Sequence, residues 1–204
     1  MNGAEVLVRE LQARGLPFMS VLCGNGLNPL LLAAEGAGLR LVDMHNEQAA
    51  SYMADAYARL TGRLGVCAVS SGVAHVHGLA GALNASFDGA PLLLITGASS
   101  SDSLGRGGFQ DVDQVAMAKP ICKRVELVER PERLPQAVHE ALAAATGGRP
   151  GPVHLPIPID ILQATIPEAE VARFHGRAAA PRRMPPDPSL IRQAAHPCAR
   201  IGDP

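Results

Sequence analysis

The chain has 204 residues, 47% of them apolar and 18% charged, with 18 Lys and Arg against 19 Asp and Glu for a net charge of −1. A chain of this length buries roughly 70% of its unfolded surface, so it builds a full core without disulfides and is not disordered throughout. With two Tyr, four Phe and no Trp it has neither the basic surface nor the stacking aromatics for nucleic acid, and no such partner is expected.

No apolar run approaches the ~20 residues of a membrane-spanning helix, so no membrane partner is expected either. The longest runs, such as 90–95, are strand-sized. Glu5, Arg9 and Glu10 interrupt the N-terminal segment, which does not read as a signal peptide. Cys23, Cys67, Cys122 and Cys198 are scattered without a C-x-x-C pair. Cys23 and Cys67 lie in apolar runs, as buried reduced thiols of a cytoplasmic protein do, and no metal site is expected.

Strand-length apolar runs occur at 18–23, 39–44, 64–70, 91–96, 124–128 and 152–157. Helical patterns fill the gaps. Ala50, Met53, Ala54, Tyr57 and Leu60 recur at helical spacing. So do Leu134, Ala137, Val138, Ala141, Leu142 and Ala145, opened by Pro131 and stopped by Gly147-Gly148. Strands apolar throughout, alternating with helices, predict a doubly wound α/β domain: a parallel sheet of about six strands with helices on both faces.

Eleven of the seventeen prolines lie from Pro150 onward, which marks a boundary. The predicted organisation is a domain over 1–162, a Pro-, Ala- and Arg-rich linker over 163–188, and the truncated start of a second domain over 189–204. In that last piece a helix begins behind a Ser189 cap and is cut off by His196-Pro197.

Ligands of doubly wound sheets sit beyond the carboxyl ends of the strands. After the first strand comes Gly24-x-Gly26, with Asp43 ending the second strand. The pattern is close to a dinucleotide fingerprint with Pro29 in place of its third glycine, so a nucleotide-binding module is one reading. After the second strand, Glu47 opens a helix behind an Asn46 cap and shares a face with Ala50, Ala54 and Tyr57. An acid there complements the helix dipole. Packed inward and partly desolvated, it also suits proton transfer. His75 and His77 follow the third strand at i, i+2, where a helix should start; one is expected in solvent and the other hydrogen-bonded. The serines 99–101 and the glycines 105–108 read as a mobile loop, and no G-x-S-x-G elbow occurs.

Taken together, several segments resemble the pyrimidine-binding N-terminal domain of thiamine-diphosphate-dependent enzymes, near the acetolactate synthase group. They are His45-Asn46-Glu47-Gln48-Ala49-Ala50, Asp55-Ala56-Tyr57-Ala58-Arg59-Leu60-Thr61-Gly62, and Ser70-Ser71-Gly72. Gly81-Ala82-Leu83-Asn84, Asp88-Gly89-Ala90-Pro91, Phe109-Gln110-Asp111 and Gly148-Arg149-Pro150-Gly151-Pro152 follow in order, over residues 1 to about 165.

The resemblance implies that Glu47 is the catalytic carboxyl group, hydrogen-bonded to N1′ of the aminopyrimidine ring of thiamine diphosphate. It implies that Gly72, Val73 and Ala74 line the pyrimidine and that Phe109 and Gln110 face the substrate, a 2-oxo acid such as pyruvate. The family holds the diphosphate and its Mg²⁺ in a separate Gly-Asp-Gly domain, and some members carry FAD in a central domain; neither stretch is found in this sequence. This chain also has Gly72-Val73-Ala74 where the family commonly has Gly-Pro-Gly, and Gly97-Ala98 where it often has Gly-Gln. The implied partner is a second copy, in a dimer or tetramer, or a separate diphosphate-binding chain. Alone, the chain is expected to bind at most the pyrimidine half, weakly, without turnover. A catalytically dead oligomerisation remnant is the remaining alternative.

Overall fold

The computed structural model describes residues 1–175 and 187–199. In chain order the elements are α1 (Gly3–Ala13), β1 (Met19–Val21), α2 (Asn28–Gly36), β2 (Leu41–Asp43), α3 (Glu47–Thr61) and β3 (Gly65–Val69). Next come α4 (Val73–Asp88), β4 (Leu92–Ala98), α5 (Gln114–Ala118), β5 (Arg124–Val125), α6 (Leu134–Thr146) and β6 (Pro152–Pro158). The short helices α7 (Ile159–Gln163) and α8 (Glu168–Phe174) and the longer α9 (Pro188–Ala199) complete the set.

All six strands pair in parallel, in the order β2-β1-β3-β4-β6-β5. The period-two alternation of each strand divides its side chains between two cores. Val66, Ala68, Leu93, Ile95, Val153 and Leu155 pack with α1, α2, α6, α7 and α8 on one face. Cys67, Val69, Leu92 and Leu94 pack with α3 and α4 on the other. Burial on both faces is why these strands read as unbroken apolar runs. The doubly wound architecture is therefore as predicted.

Local differences have local causes. β5 is only two residues long, yet Glu126 and Val128 still donate their amides to His154 O and Pro156 O, so the predicted run continues as an irregular edge. Residues 164–175, within the predicted linker, dock onto the domain: Thr165 bridges Asn2, and Ile166 and Val171 are buried. Residues 176–186 of that stretch lie outside the described residues. The last helix begins two residues earlier than predicted, with Asp187 as its cap, because the Asp187 carboxylate accepts from both the Ser189 amide and hydroxyl at 2.7 Å. It also runs through His196-Pro197 to Ala199 instead of stopping there. Cys67 and Cys122 are buried thiols, but Cys23 is exposed because β1 ends before it.

Candidate functional site

In this strand order the chain reverses direction across the sheet between β1 and β3, and the loops that follow these strands flank the position where doubly wound sheets carry their ligand crevice. The first loop is pressed tightly onto its neighbours. A Cβ on Gly24 would stand 2.7 Å from the Ser70 Cβ, and one on Gly26 would stand 2.8 Å from the Ala98 backbone. A Cβ on Gly97 would meet Asn25 O at 2.4 Å. These glycines are thus required by packing between strand ends.

A polar chain crosses the crevice. Ser70 Oγ donates to Asn25 O at 3.1 Å, Asn25 Nδ2 donates to Ser71 Oγ at 3.5 Å, and Ser71 Oγ donates to Gln110 Oε1 at 3.3 Å. Gln110 has φ 58°, the only positive φ of a non-glycine residue among those described. It leans over Gly72, where a Cβ would lie 2.7 Å from the Gln110 Cβ and where φ is also positive at 62°. A side chain at position 72 would fill the space Gln110 occupies, so the two positions are mutually dependent. Strain of this kind concentrates at ligand sites. Beside Gln110, a cavity of about 270 Å³ opens between Ala98, Leu104, Asp111, Val112, Gln114 and Pro156.

Glu47 stands at the rim, as the first residue of α3. Asn46 caps that helix by accepting the Gln48 amide at 2.8 Å. The Glu47 side chain is 18% exposed, and its Oε2 lies 3.0 Å from His77 Nδ1 on α4. Its Oε1 has no hydrogen-bond partner among the described residues. Glu47 also acts on the sheet behind it. The Cys67 thiol is pushed up to about 12 by burial, with the Glu47 charge adding to the effect and a Ser20 hydrogen bond opposing it.

The two histidines of α4 behave differently from the expectation that one is solvated and the other bonded. His77 is both, with 41% of its side chain exposed and its Nδ1 on Glu47. His75 is fully buried, and neither ring nitrogen has a hydrogen-bond partner among the described residues. Its ring stacks on His154 with centroids 4.7 Å apart and planes 12° from parallel. Burial lowers the His75 imidazole to about 4, and burial with His75 nearby holds His154 well below its ordinary value, so both rings are neutral. Gln114 Nε2 donates to Gly97 O, which leaves its Oε1 to accept the Thr96 hydroxyl at 2.6 Å. Thr96 Oγ1 must then accept from His154 Nε2–H at 2.9 Å, which assigns the tautomer.

Of the residues singled out from sequence, Gly72 and Gln110 are packed against each other, and Glu47 heads the neighbouring helix α3 with its carboxylate on His77 of α4. Ala74 is buried at the first turn of α4, and Val73 is exposed beside it. Phe109 is 76% exposed. The serine loop is tied down at its start, since Ser101 bonds Asp160 through both amide and hydroxyl. Asn25, Ser71 and His77 were not singled out as site partners, because their roles depend on contacts between distant segments. Among the described residues no group of three or more His, Cys, Asp or Glu could hold a metal ion.

The site thus combines the reversal point of a parallel sheet with a carboxylate, held through one oxygen, at the head of the second crossover helix. The domain described as "Thiamine pyrophosphate enzyme, N-terminal TPP binding domain" matches residues 1–117, and the chain belongs to this thiamine-diphosphate-dependent family. Among curated relatives, 2-hydroxyacyl-CoA lyase 2 of Caenorhabditis elegans is 40% identical over 161 residues, covering 79% of this chain and 25% of the relative. The enzyme of the same name from Danio rerio is 40% identical over 161 residues, 79% of this chain and 26% of its own. The 2-hydroxyacyl-CoA lyase of Oryza sativa subsp. japonica is 39% identical over 180 residues, 88% and 31% respectively. The chain thus spans between a quarter and a third of the length of these relatives. Similarity to these lyases moves the comparison away from the acetolactate synthase group within the same family.

Proposed function

We propose that this chain provides the pyrimidine-binding part of a thiamine-diphosphate-dependent lyase acting on a 2-hydroxyacyl thioester. The observation that carries the reading is Glu47, with one carboxyl oxygen held by His77 and the other free at the mouth of the crevice. The residues suit the cofactor's aminopyrimidine ring: a carboxyl oxygen for a ring nitrogen, and the glycine turn at Gly72 to admit a flat group close to the backbone. Thiamine diphosphate, when bound, would supply the electron sink for cleaving a bond beside a carbonyl group. Glu47 would hold and return the proton at the ring nitrogen. Gly72, Val73 and Ala74 would hold the ring, and Gln110 would offer its side-chain amide to the substrate. The cavity beside Gln110 offers room for an acyl group.

Diphosphate and Mg²⁺ fall, in this reading, to a separate domain or chain, and FAD has no assigned role. A second copy of the chain is the proposed partner. The exposed Val73, Val76, Leu83 and Phe87 recur along one side of α4, an apolar stripe leading away from the site. A reducing, cytoplasmic compartment suits the free Cys67 and Cys122 thiols.

The second reading is the acetolactate synthase-like reaction on a 2-oxo acid, favoured by the Phe109-Gln110-Asp111 segment at the crevice. One assay separates the two. The native assembly that contains this chain, supplied with thiamine diphosphate and Mg²⁺, is given a 2-hydroxyacyl-CoA or pyruvate. Aldehyde release from the thioester, lost in Glu47→Gln, supports the lyase. Pyruvate consumption with no thioester cleavage refutes it in favour of the second reading, and inactivity toward both leaves the oligomerisation remnant.

A further inference from the structure

α3 and α4 lead into the neighbouring parallel strands β3 and β4 and pack side by side in the same direction. Four polar contacts join them at regular intervals. His77 Nδ1 meets Glu47 Oε2 at 3.0 Å. One turn on, the Gly81 amide donates to Ser51 Oγ at 3.1 Å, and then Asn84 Nδ2 donates to Asp55 Oδ2 at 2.6 Å. Arg59 closes the series on Asp88 at 3.2 Å. The α3 members are each four residues apart, and the α4 members follow at four, three and four, so both sets lie along single helix faces. A Cβ on Gly81 would stand 2.5 Å from the Ser51 backbone carbon, so the helices cannot slide or separate without breaking the series.

The top rung differs from the rest. Ser51 and Asp55 are buried, whereas Glu47 and His77 reach the crevice and solvent. Asn46 fixes the backbone at the head of α3 but leaves the Glu47 side-chain torsions free. Only His77 restrains them among the described residues. An imidazole at this contact does two things. As Nδ1–H it donates to ionised Glu47 and keeps Oε2 occupied, so that Oε1 is the oxygen presented to a ligand. When Glu47 is protonated at Oε2, the ring meets it as the Nε2–H tautomer with Nδ1 accepting, and transfer across the contact gives a carboxylate and an imidazolium that can release a proton to solvent from the part-exposed ring. Resting on the cofactor reading above, we propose that His77 is the positioning residue of the site: it aims the Glu47 carboxyl group at the aminopyrimidine ring and links its proton to solvent.

The test uses the isolated chain, ¹⁵N-labelled at histidine, and 4-amino-5-hydroxymethyl-2-methylpyrimidine as the ring probe. At mildly alkaline pH the His77 ring nitrogens are expected to report the Nδ1–H tautomer, changing to Nε2–H in Glu47→Ala. The probe should bind about tenfold more weakly to His77→Ala, the cost of losing one charge-assisted hydrogen bond. His77→Asn should recover most of that affinity, since its amide nitrogen stands as many bonds from Cβ as Nδ1 does. A tautomer indifferent to Glu47→Ala, or equal affinity in His77→Ala and wild type, overturns the positioning role. A probe that leaves wild type unperturbed while the tautomer still follows Glu47 overturns the cofactor reading instead, and the role of His77 with it.

Discussion

His77 Nδ1 and Glu47 Oε2 stand 3.0 Å apart although thirty residues separate them in sequence, and the contact is the uppermost of four between α3 and α4. Its consequence is an asymmetric carboxyl group, one oxygen held and one free. The chemistry of the site follows from that asymmetry.

Replacing Glu47 by Gln removes the transferable proton and keeps the shape. In the completed enzyme kcat/KM is expected to fall by about 10²–10⁴-fold, the usual share of a general acid–base group. Gln matches Glu in shape and so keeps the packing of a side chain only 18% exposed, and the thermal midpoint should stay near that of wild type. Parallel kinetics and thermal melts check both halves, and retained activity refutes the role.

Gly72→Ala places a methyl group at φ 62° and 2.7 Å from the Gln110 Cβ. The expected loss is about 1–3 kcal/mol from backbone strain alone, measured by urea denaturation. The variant should also displace Gln110, seen as changed backbone shifts at Ser71 and Gln110.

Asn84→Ala removes the 2.6 Å donor to Asp55, whose other oxygen, Oδ1, is already buried without a partner. Leaving a nearly buried carboxylate short of its amide is expected to cost roughly 2–4 kcal/mol. Arg59, 3.9 Å from Asp55, offsets part of this. An unchanged urea midpoint contradicts the account of the helix pair.

Stability should depend on acid through the stacked histidines. His75 is lowered to about 4 when folded, and burial holds His154 well below its ordinary range as well. In the unfolded chain both bind protons near pH ~6.5, so the unfolded state gains protons first as pH falls. Their contribution is whole above about 6.5 and is lost progressively toward 4. Urea midpoints across that window should decline, and His75→Leu should flatten the decline. An identical pH profile in the variant contradicts the assignment.

Much of this was legible in the sequence, for a physical reason. Strands buried on both faces have to be apolar throughout, and the spacing of Ala50, Ala54 and Tyr57 with the Asn46 cap shows α3 locally. Glu47 was visible because it sits at an identifiable helix start. His77 was not, because its pairing depends on the register of two helices, which no local pattern encodes. The same holds for His75 and His154, brought together only when α4 packs over β6. α8 escaped notice because a single buried residue, Val171, docks it, too little for a periodic signal. The cap of α9 was misplaced by two residues because Ser189 and Asp187 are both good capping residues and the structure uses the aspartate. Motifs shared across the family identified the cofactor class but not the substrate, because members that share these segments act on different substrates.

The central claim is that Glu47 receives the aminopyrimidine ring of thiamine diphosphate. Carbon-13 NMR of the Glu47 carboxyl group, in the chain titrated separately with thiamine diphosphate and with NADH, tests it most directly. The account predicts a weak, saturable displacement by thiamine diphosphate, absent in Glu47→Gln and absent with NADH. A Glu47 signal unmoved by thiamine diphosphate, with NADH instead shifting the loop at Gly24 and Gly26, would contradict it.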